Sequence, residues 1–106
     1  MELQQNEAYA DDTPLTQVFG DSARVKILAA MVSEAEHDLN VTDIAELAGV
    51  ARSTVYDHLE ELQALHLVVK TREVGGGPMY QINNDSEIVK RITEIEGLAL
   101  AQLLED

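Results

Sequence analysis

The sequence predicts an α+β fold that is mostly helical, and three observations support this. Apolar residues recur at helical spacing: Val55, Leu59 and Leu62 are spaced i, i+4, i+7 and share one helix face. A single glycine, Gly49, separates two such helical segments, which indicates a tight turn between helices. A β-branched run, the glycines Gly75–Gly77 and a second short apolar run together predict one β-hairpin.

Length and composition limit the class of protein. The chain has 106 residues and is 45% hydrophobic, which fits one globular domain. It has no cysteine, which excludes disulfides, thiolate metal sites and a cysteine redox switch. No apolar run approaches the ~20 residues of a membrane span, and the acidic N-terminus does not resemble a signal peptide. We therefore expect a cytoplasmic protein without a membrane partner.

The N-terminal part predicts an arm followed by two helices. Residues 1–12 have little periodicity and predict a flexible acidic arm. Thr13 as N-cap and Pro14 as first helical residue predict a short helix, which Gly20 ends. A second helix over about residues 23–33 follows, capped by either Asp21 or Ser22. Its apolar positions are so numerous that we expect burial on more than one side.

The middle of the chain predicts two helices joined at a glycine. Residues 34–38 are a polar loop, and residues 39–41 predict a short strand. Thr42 is the expected N-cap of the next helix, which ends at Gly49 because glycine adopts positive φ without a Cβ penalty. The second helix covers about residues 52–65, with its apolar stripe toward the core and short polar side chains on the opposite face.

A hairpin follows these helices. Residues 67–73 form the first predicted strand, residues 75–78 the turn, and residues 79–82 the returning strand. Lys70 and Arg72 stand at i, i+2 and are therefore expected on the same strand face. This is also the one segment with a net positive charge, although a solvated hairpin edge would carry such charges too.

The last predicted helix covers about residues 86–104, with Asn84 or Asp85 as its cap. Apolar residues repeat along it at 4, 3, 4, 4 spacing; they are Ile88, Ile92, Ile95, Ala99 and Leu103. This stripe is longer than one small domain needs to cover. It indicates either contact with a second copy of the chain, which we favour, or packing on the chain's own body.

The two central helices and the hairpin resemble the winged helix-turn-helix regulators of the ArsR and MarR type over about residues 15–82. The resemblance rests on Asp43-Ile44-Ala45, Gly49-Val50, Ser53-Thr54-Val55, His58-Leu59, Leu62 and Leu67-Val68. It implies a DNA-binding domain at 13–83, with an extra N-terminal helix, and a C-terminal dimerisation helix at 84–106. Similar haloarchaeal proteins regulate stress responses, including oxidative stress; without cysteine, an oxidant signal here would need methionine, a ligand or an upstream protein.

The resemblance implies a homodimer that binds double-stranded DNA at pseudo-palindromic promoter sites. The residues expected at DNA are Thr42, Arg52, Ser53, Thr54, Tyr56, His58, Lys70, Arg72, Gly75, Gly76 and Gly77. The residues expected at the dimer interface are Leu28, Met31, Ile88, Ile92, Ile95, Ala99 and Leu103.

The net charge of −13 is unusual for a DNA-binding protein, since such proteins usually carry a basic face. Either the chain does not bind DNA, or it works in molar salt, where screening acts within ~3 Å. We favour the second, because the acids are spread along the chain and lysines are few. Asp57, Glu60 and Glu61 on the second helix would then meet DNA through cations such as K⁺.

Catalysis and metal binding have no support in the sequence. Ser53, Asp57 and His58 lie on one helix in different directions and cannot form a triad. The three histidines lack metal-ligand spacing. We therefore expect no enzyme, no metal site and no cofactor apart from possible interfacial cations. The alternative to a DNA-binding regulator is a winged-helix module whose acidic second helix faces a partner protein.

Overall fold

The computed structural model describes residues 8–105. These residues form a short 3₁₀ helix (Tyr9–Asp12), five α-helices and one two-stranded antiparallel sheet. The elements in chain order are α1 (Pro14–Phe19), α2 (Ala23–Ser33), α3 (Val41–Ala48), α4 (Arg52–Ala64), β1 (Val68–Val74), β2 (Gly77–Ile82) and α5 (Glu87–Leu104). The predicted fold, a mostly helical winged helix-turn-helix with a helix before it and a long helix after it, is confirmed.

The first two α-helices begin at side-chain caps. The Thr13 hydroxyl accepts a hydrogen bond from the Thr16 amide at 3.3 Å and caps α1. Gly20 ends this helix with a φ of 93°. The Ser22 hydroxyl accepts from the Val25 amide at 3.3 Å and caps α2. Each cap gives a partner to an amide that has none within the helix, which fixes where these helices start.

The cap of α3 differs from the prediction. The Asn40 side chain accepts from the Asp43 amide at 2.7 Å, so Asn40 is the N-cap and Thr42 lies inside the first turn. Asparagine and threonine both cap helices well, and here Asn40, two positions before Thr42, is the one that caps. The exposed Thr42 hydroxyl is therefore not used in capping.

The turn between α3 and α4 depends on Gly49. This residue has a φ of 74°, in the left-handed region, and its amide donates to the Ala45 carbonyl at 2.8 Å. A methyl group at this position would lie 2.7 Å from the Cβ of Ala8, because the N-terminal segment packs directly on the turn. Glycine is thus required here for conformation and for space.

The hairpin of β1 and β2, called the wing below, contains a bulge. Lys70 pairs with Tyr80 and Arg72 pairs with Met79, so Thr71 is left without a partner residue. Since adjacent residues on β2 point to opposite faces, Lys70 and Arg72 also lie on opposite faces. The prediction that they share a face is wrong, because the extra residue breaks the two-residue alternation.

The wing is attached to the helices through Leu39 and Tyr80. The Leu39 amide donates to the Tyr80 carbonyl at 2.7 Å, and the Tyr80 amide donates to the Leu39 carbonyl at 2.8 Å. This contact is a single bridge rather than the short strand predicted over residues 39–41. Both side chains are buried in the core.

The main core lies between α2, α3, α4 and the base of the wing. Its fully buried larger side chains include Ile27, Met31, Ile44, Val55, Leu62, Val68 and Ile82. The apolar stripe of α4 points inward as predicted, which leaves the opposite face of this helix to solvent.

The segment predicted as a flexible arm, residues 1–12, is only partly described. Residues 1–7 lie outside the described residues. Residues 9–12 form the 3₁₀ helix, and Ala10 is fully buried against Leu15 and Ala29. Regular, packed structure is therefore present before Thr13.

The cap of α5 also differs from the prediction. The Ser86 hydroxyl accepts from the Val89 amide at 3.2 Å, so the cap is Ser86 and not Asn84 or Asp85. The two predicted residues are instead part of the polar connection from β2. Capping at Ser86 points Val89 inward, and this side chain joins the main core.

Helix α5 packs along α1 through its first half. Ile92 and Ile95 are half-buried against the chain's own core. Beyond them the helix is covered less, and Leu98 and Leu104 are 69% and 75% exposed. No helix in the described part of the chain is long and apolar enough to cross a membrane.

Candidate nucleic-acid interface

The outward face of α4 carries the polar residues that the sequence assigned to the major groove. Arg52, Ser53 and Tyr56 are exposed, and Thr54 is half-buried at the edge of this face. Their position follows from the inward stripe of Val55 and its i+4 and i+7 partners on the same helix. The first turn of α4 therefore presents a guanidinium, two hydroxyls and a phenol to solvent.

A cleft connects this face with the tip of the wing. Thr42 on α3 and Arg52 and Tyr56 on α4 line one side, and Gly76 and Pro78 at the wing tip line the other. Its volume is about 40 Å³, too small for an organic cofactor. The fold thus brings together two groups of predicted DNA-binding residues that lie far apart in the sequence.

Arg52 differs from the other basic residues in its electrostatic partners. Within residues 8–105, the other six lysines and arginines all form ion pairs, and Arg52 forms none. The pairs are Arg24–Glu61, Lys26–Asp11, Lys70–Glu73, Arg72–Asp38, Lys90–Glu87, Arg91–Glu87 and Arg91–Glu94. The guanidinium of Arg52, which lines the cleft, therefore has no acidic partner in the described part of the chain that would compete with an external anion.

His58, predicted to reach a phosphate, is held by α2. Arg24 Nε donates to His58 Nδ1 at 3.0 Å, and the same guanidinium pairs with Glu61. The hydrogen bond from Arg24, together with its charge, lowers the pKa of Glu61. One arginine from α2 thus fixes two side chains of α4 and neutralises one of its acids.

The acidic residues of α4 fall into two groups. Glu61 is paired with Arg24, so it is not available to bind a solvent cation in the way the sequence suggested. Asp57 and Glu60 are exposed, and neither has a basic partner among the described residues. These two carboxylates remain as negative charges beside the polar face.

The wing carries Lys70 and Arg72 on different faces and with different partners. Lys70 Nζ lies 2.7 Å from Glu73 Oε2, three residues along the same strand. Hydrogen bonding and charge in this exposed pair raise the pKa of Lys70 and lower that of Glu73. Water or another anion can easily replace Glu73 as the partner of Lys70, since exposed ion pairs are weak.

Arg72 is bound by a residue that sequence reasoning missed. Asp38 accepts from Arg72 Nε at 2.9 Å, from Arg72 Nη2 at 3.2 Å and from the Thr71 hydroxyl at 2.6 Å. These hydrogen bonds, with the Arg72 guanidinium first in importance, lower the pKa of Asp38 to about 2. The sequence placed Asp38 in a polar loop, and no local signal links it to a strand more than thirty residues away.

The predicted dimer-interface residues divide by burial. Met31 is 1% exposed inside the core of its own chain, which leaves its side chain no surface for a partner. Leu28, Ile92, Ile95 and Ala99 are half-buried. Ile88 and Leu103 are exposed, as are five large apolar residues of α1 and α5 that the prediction did not include: Val18, Phe19, Leu98, Leu100 and Leu104.

A metal site finds no support in the part of the chain that the structure describes, where no three His, Asp or Glu side chains are placed to hold an ion. The glycines Gly75 and Gly76 form the hairpin turn, and Gly77 begins β2 with a φ of 121°. These glycines shape the wing tip and are followed by a strand, which is unlike the helix that follows a phosphate-binding loop.

Comparison with known families identifies the central segment. Residues 25–72 match the model of the IclR helix-turn-helix domain, a stretch that runs from α2 through α4 into β1. No curated protein matches the chain. The match supports a helix-turn-helix domain of DNA-binding transcription regulators. The resemblance to ArsR and MarR regulators agrees with it at the level of the winged helix-turn-helix, and the family matched is that of the IclR domain.

Proposed function

We propose that the protein is a transcription regulator that binds specific double-stranded DNA sites as a homodimer. The observation that carries this proposal is the position of Arg52. It opens α4, has no acidic partner within residues 8–105, and lines a cleft whose other wall is the wing tip. A DNA backbone is an anion of suitable shape to lie along both walls.

In this proposal α4 enters the major groove. Arg52, Ser53, Thr54 and Tyr56 face base edges and flanking phosphates, since short polar residues at the start of a recognition helix reach the groove floor. Thr42 is exposed in the first turn of α3 and contacts the DNA backbone beside Arg52. The wing tip, with Gly75 to Gly77, approaches the sugar-phosphate backbone closely because it lacks side chains there.

A homodimer places two copies of α4 about 34 Å apart on successive turns of DNA, which suits a pseudo-palindromic site. Support comes from exposed apolar side chains on α1 and the second half of α5; these are Val18, Phe19, Leu98, Leu103 and Leu104. A second copy would cover these side chains, because several large apolar residues exposed on two packed helices of a small domain are typical of an interface.

The net charge of −13 supports a cytoplasm with high salt as the working environment. There, Asp57 and Glu60 can lie near phosphates if K⁺ or another cation sits between the two anions. Glu61 needs no such cation, since Arg24 already neutralises it. In the proposed complex, binding takes up cations as well as releasing them, and affinity depends weakly on salt.

One observation favours a second function, a protein-interaction module. Asp57 and Glu60 give α4 unpaired negative charge on the face that would meet DNA. Such a face suits a basic protein partner without any need for cations. The rival function predicts that no duplex binds at any salt concentration.

Fluorescence anisotropy with a duplex from the gene's own promoter, against a scrambled duplex, tests the proposal across KCl up to the molar range. Preference for the promoter duplex supports the regulator. Arg52→Gln is expected to weaken specific binding roughly tenfold. The slope of log affinity against log KCl should also become less negative, or more positive, by about 1, because one phosphate contact is lost. Arg91→Gln is the matched control on α5, where the arginine is already paired with two glutamates, and it should leave affinity unchanged.

Absence of promoter preference would exclude autoregulation, and selection from random duplexes would then show whether any site is bound. If neither experiment gave a bound duplex, the protein-interaction module would replace the regulator. If Arg52→Gln and Arg91→Gln behaved alike on a duplex that the wild type binds, the placement of α4 on DNA would be wrong.

A further inference from the structure

The contact between Asp38 and Arg72 has a geometry that bears on how the wing meets DNA. Arg72 uses Nε and one hydrogen of Nη2 on the Asp38 carboxylate. Its Nη1 group points away from that carboxylate, because a guanidinium is planar and presents its donors in a rigid fork. The Arg72 side chain is 61% exposed whereas that of Asp38 is 16% exposed, so the arginine faces solvent and the acid lies behind it.

We infer that Asp38 is a positioning residue, which holds Arg72 with its free donors directed at a DNA phosphate while remaining bound to it. This inference rests on the proposed function, since it concerns the same DNA-binding surface. It assigns a role to a loop residue outside both the recognition helix and the wing.

The alternative is that Asp38 competes with DNA for Arg72 and releases it on binding. The contacts of the carboxylate argue against release. Asp38 receives three hydrogen bonds, two from Arg72 and one from the Thr71 hydroxyl. Loss of Arg72 would leave this partly covered carboxylate with the Thr71 hydroxyl as its remaining partner, and two charge-assisted hydrogen bonds would be broken.

The wing bulge is part of the arrangement. The bulge places Thr71 and Arg72 so that both side chains reach Asp38 from the same stretch of β1. The adjacent Leu39 is fixed by two backbone hydrogen bonds to Tyr80 of the opposite strand. Asp38 therefore holds β1 while its neighbour holds β2, and the direction of Arg72 is set from a rigid base.

The pair has no net charge, and this gives it a distinctive salt dependence. A phosphate contact made by a net cation releases a counterion and weakens with salt. A contact made by a neutral Arg–Asp pair relies on directed hydrogen bonds and loses little when salt rises. Lys70 provides the contrast, because its pair with Glu73 is made by two exposed, flexible side chains.

The test measures promoter-duplex affinity of wild type, Asp38→Asn and Glu73→Gln from low to molar KCl. Asp38→Asn removes the charge and keeps the shape. In molar KCl it is expected to bind roughly tenfold more weakly than wild type, with a salt slope steeper by about 1 because Arg72 becomes a net cation. Glu73→Gln, the matched control on the wing, should not lose affinity in molar KCl.

Two further variants separate positioning from a merely structural role. In an Arg72→Gln background, Asp38→Asn should cause no additional loss of affinity. Arg72→Lys keeps the positive charge but cannot form the fork, so it should reproduce the loss in molar KCl even if Asp38→Asn folds poorly.

Each contrary result identifies what is wrong. Equal or tighter binding by Asp38→Asn or Arg72→Lys in molar KCl would overturn the inference and indicate competition for Arg72. An undiminished effect of Asp38→Asn in the Arg72→Gln background would overturn it in favour of a purely structural role. If the wild type bound no duplex at all, the proposed function would fail and this inference with it. The two contrary results on the variants would overturn the inference alone and leave the proposed function intact.

Discussion

Arg24 Nε donates a hydrogen bond to His58 Nδ1 at 3.0 Å, and this contact links α2 to α4, the second helix of the helix-turn-helix. The same guanidinium pairs with Glu61, one turn of helix further on. A residue outside the recognition helix therefore fixes the orientation of one of its side chains and cancels the charge of another. The acidic character of α4 is smaller at the surface than its sequence indicates.

Arg24→Gln is expected to weaken DNA binding roughly threefold to tenfold, because Glu61 regains a free negative charge next to the DNA backbone. Anisotropy with the promoter duplex measures the change. Arg24→Gln/Glu61→Gln should recover most of the lost affinity, since the second change removes that charge. A double variant as weak as the single one would show that Arg24 acts on binding in another way.

Asp57→Asn tests whether cations are taken up at the α4 surface. The wild type should show a flat or inverted dependence of log affinity on log KCl, and Asp57→Asn should restore a more negative slope. Glu105→Gln removes the same charge from the exposed end of the chain and serves as control. Equal slopes for wild type and Asp57→Asn would count against a cation between Asp57 and the DNA.

Leu98→Glu/Leu103→Glu is expected to convert dimers into monomers, because it places charges on the exposed apolar part of α5. Size-exclusion chromatography with light scattering gives the mass. Leu65→Glu, at an exposed leucine that follows α4, should leave the mass unchanged. A dimer that persists in the double variant would place the interface elsewhere. Ile92 and Ile95 are unsuitable targets, since they pack on the chain's own core and their loss would disturb folding.

Gly49→Ala should destabilise the fold by about 2–3 kcal/mol, from left-handed strain and from contact with the N-terminal segment. The methyl group would lie 2.7 Å from the Cβ of Ala8. In an Ala8→Gly background the cost should fall to about 1–2 kcal/mol, because the left-handed strain remains together with a 3.2 Å approach to the Asp11 carboxylate. Urea unfolding of the wild type, the two single variants and the double variant measures both values. Identical costs in the two backgrounds would mean that Ala8 moves away freely.

The sequence predicts well what is decided by short-range patterns. The inward stripe of Val55 and Leu59, the stop at Gly49 and the cap at Thr13 each depend on neighbours within a few residues, and each is found as expected. A short glycine-rich segment between a β-branched run and a second short apolar run likewise predicted the wing.

Features that depend on distant partners could not be predicted. No glycine in β1 indicates the bulge at Thr71. The bulge goes together with contacts to distant residues, namely the Thr71–Asp38 hydrogen bond and the Leu39–Tyr80 bridge. The burial of Met31 was ambiguous because α2 is apolar on more than one side. The cap of α3 was predicted wrongly because the sequence offers two good capping residues close together. The structure uses Asn40 rather than Thr42.

The bridge between Leu39 and Tyr80 has a consequence for the order of folding. It joins residues on either side of the whole helix-turn-helix, so its loop-closure cost is lowest once α3 and α4 have packed together, and we expect it to form with or after them. The amide hydrogens of Leu39 and Tyr80 should then exchange with solvent only when the whole domain unfolds, while those near the wing tip exchange through local opening. That exchange pattern would place the base of the wing in the same cooperative unit as α4, and the tip of the wing outside it.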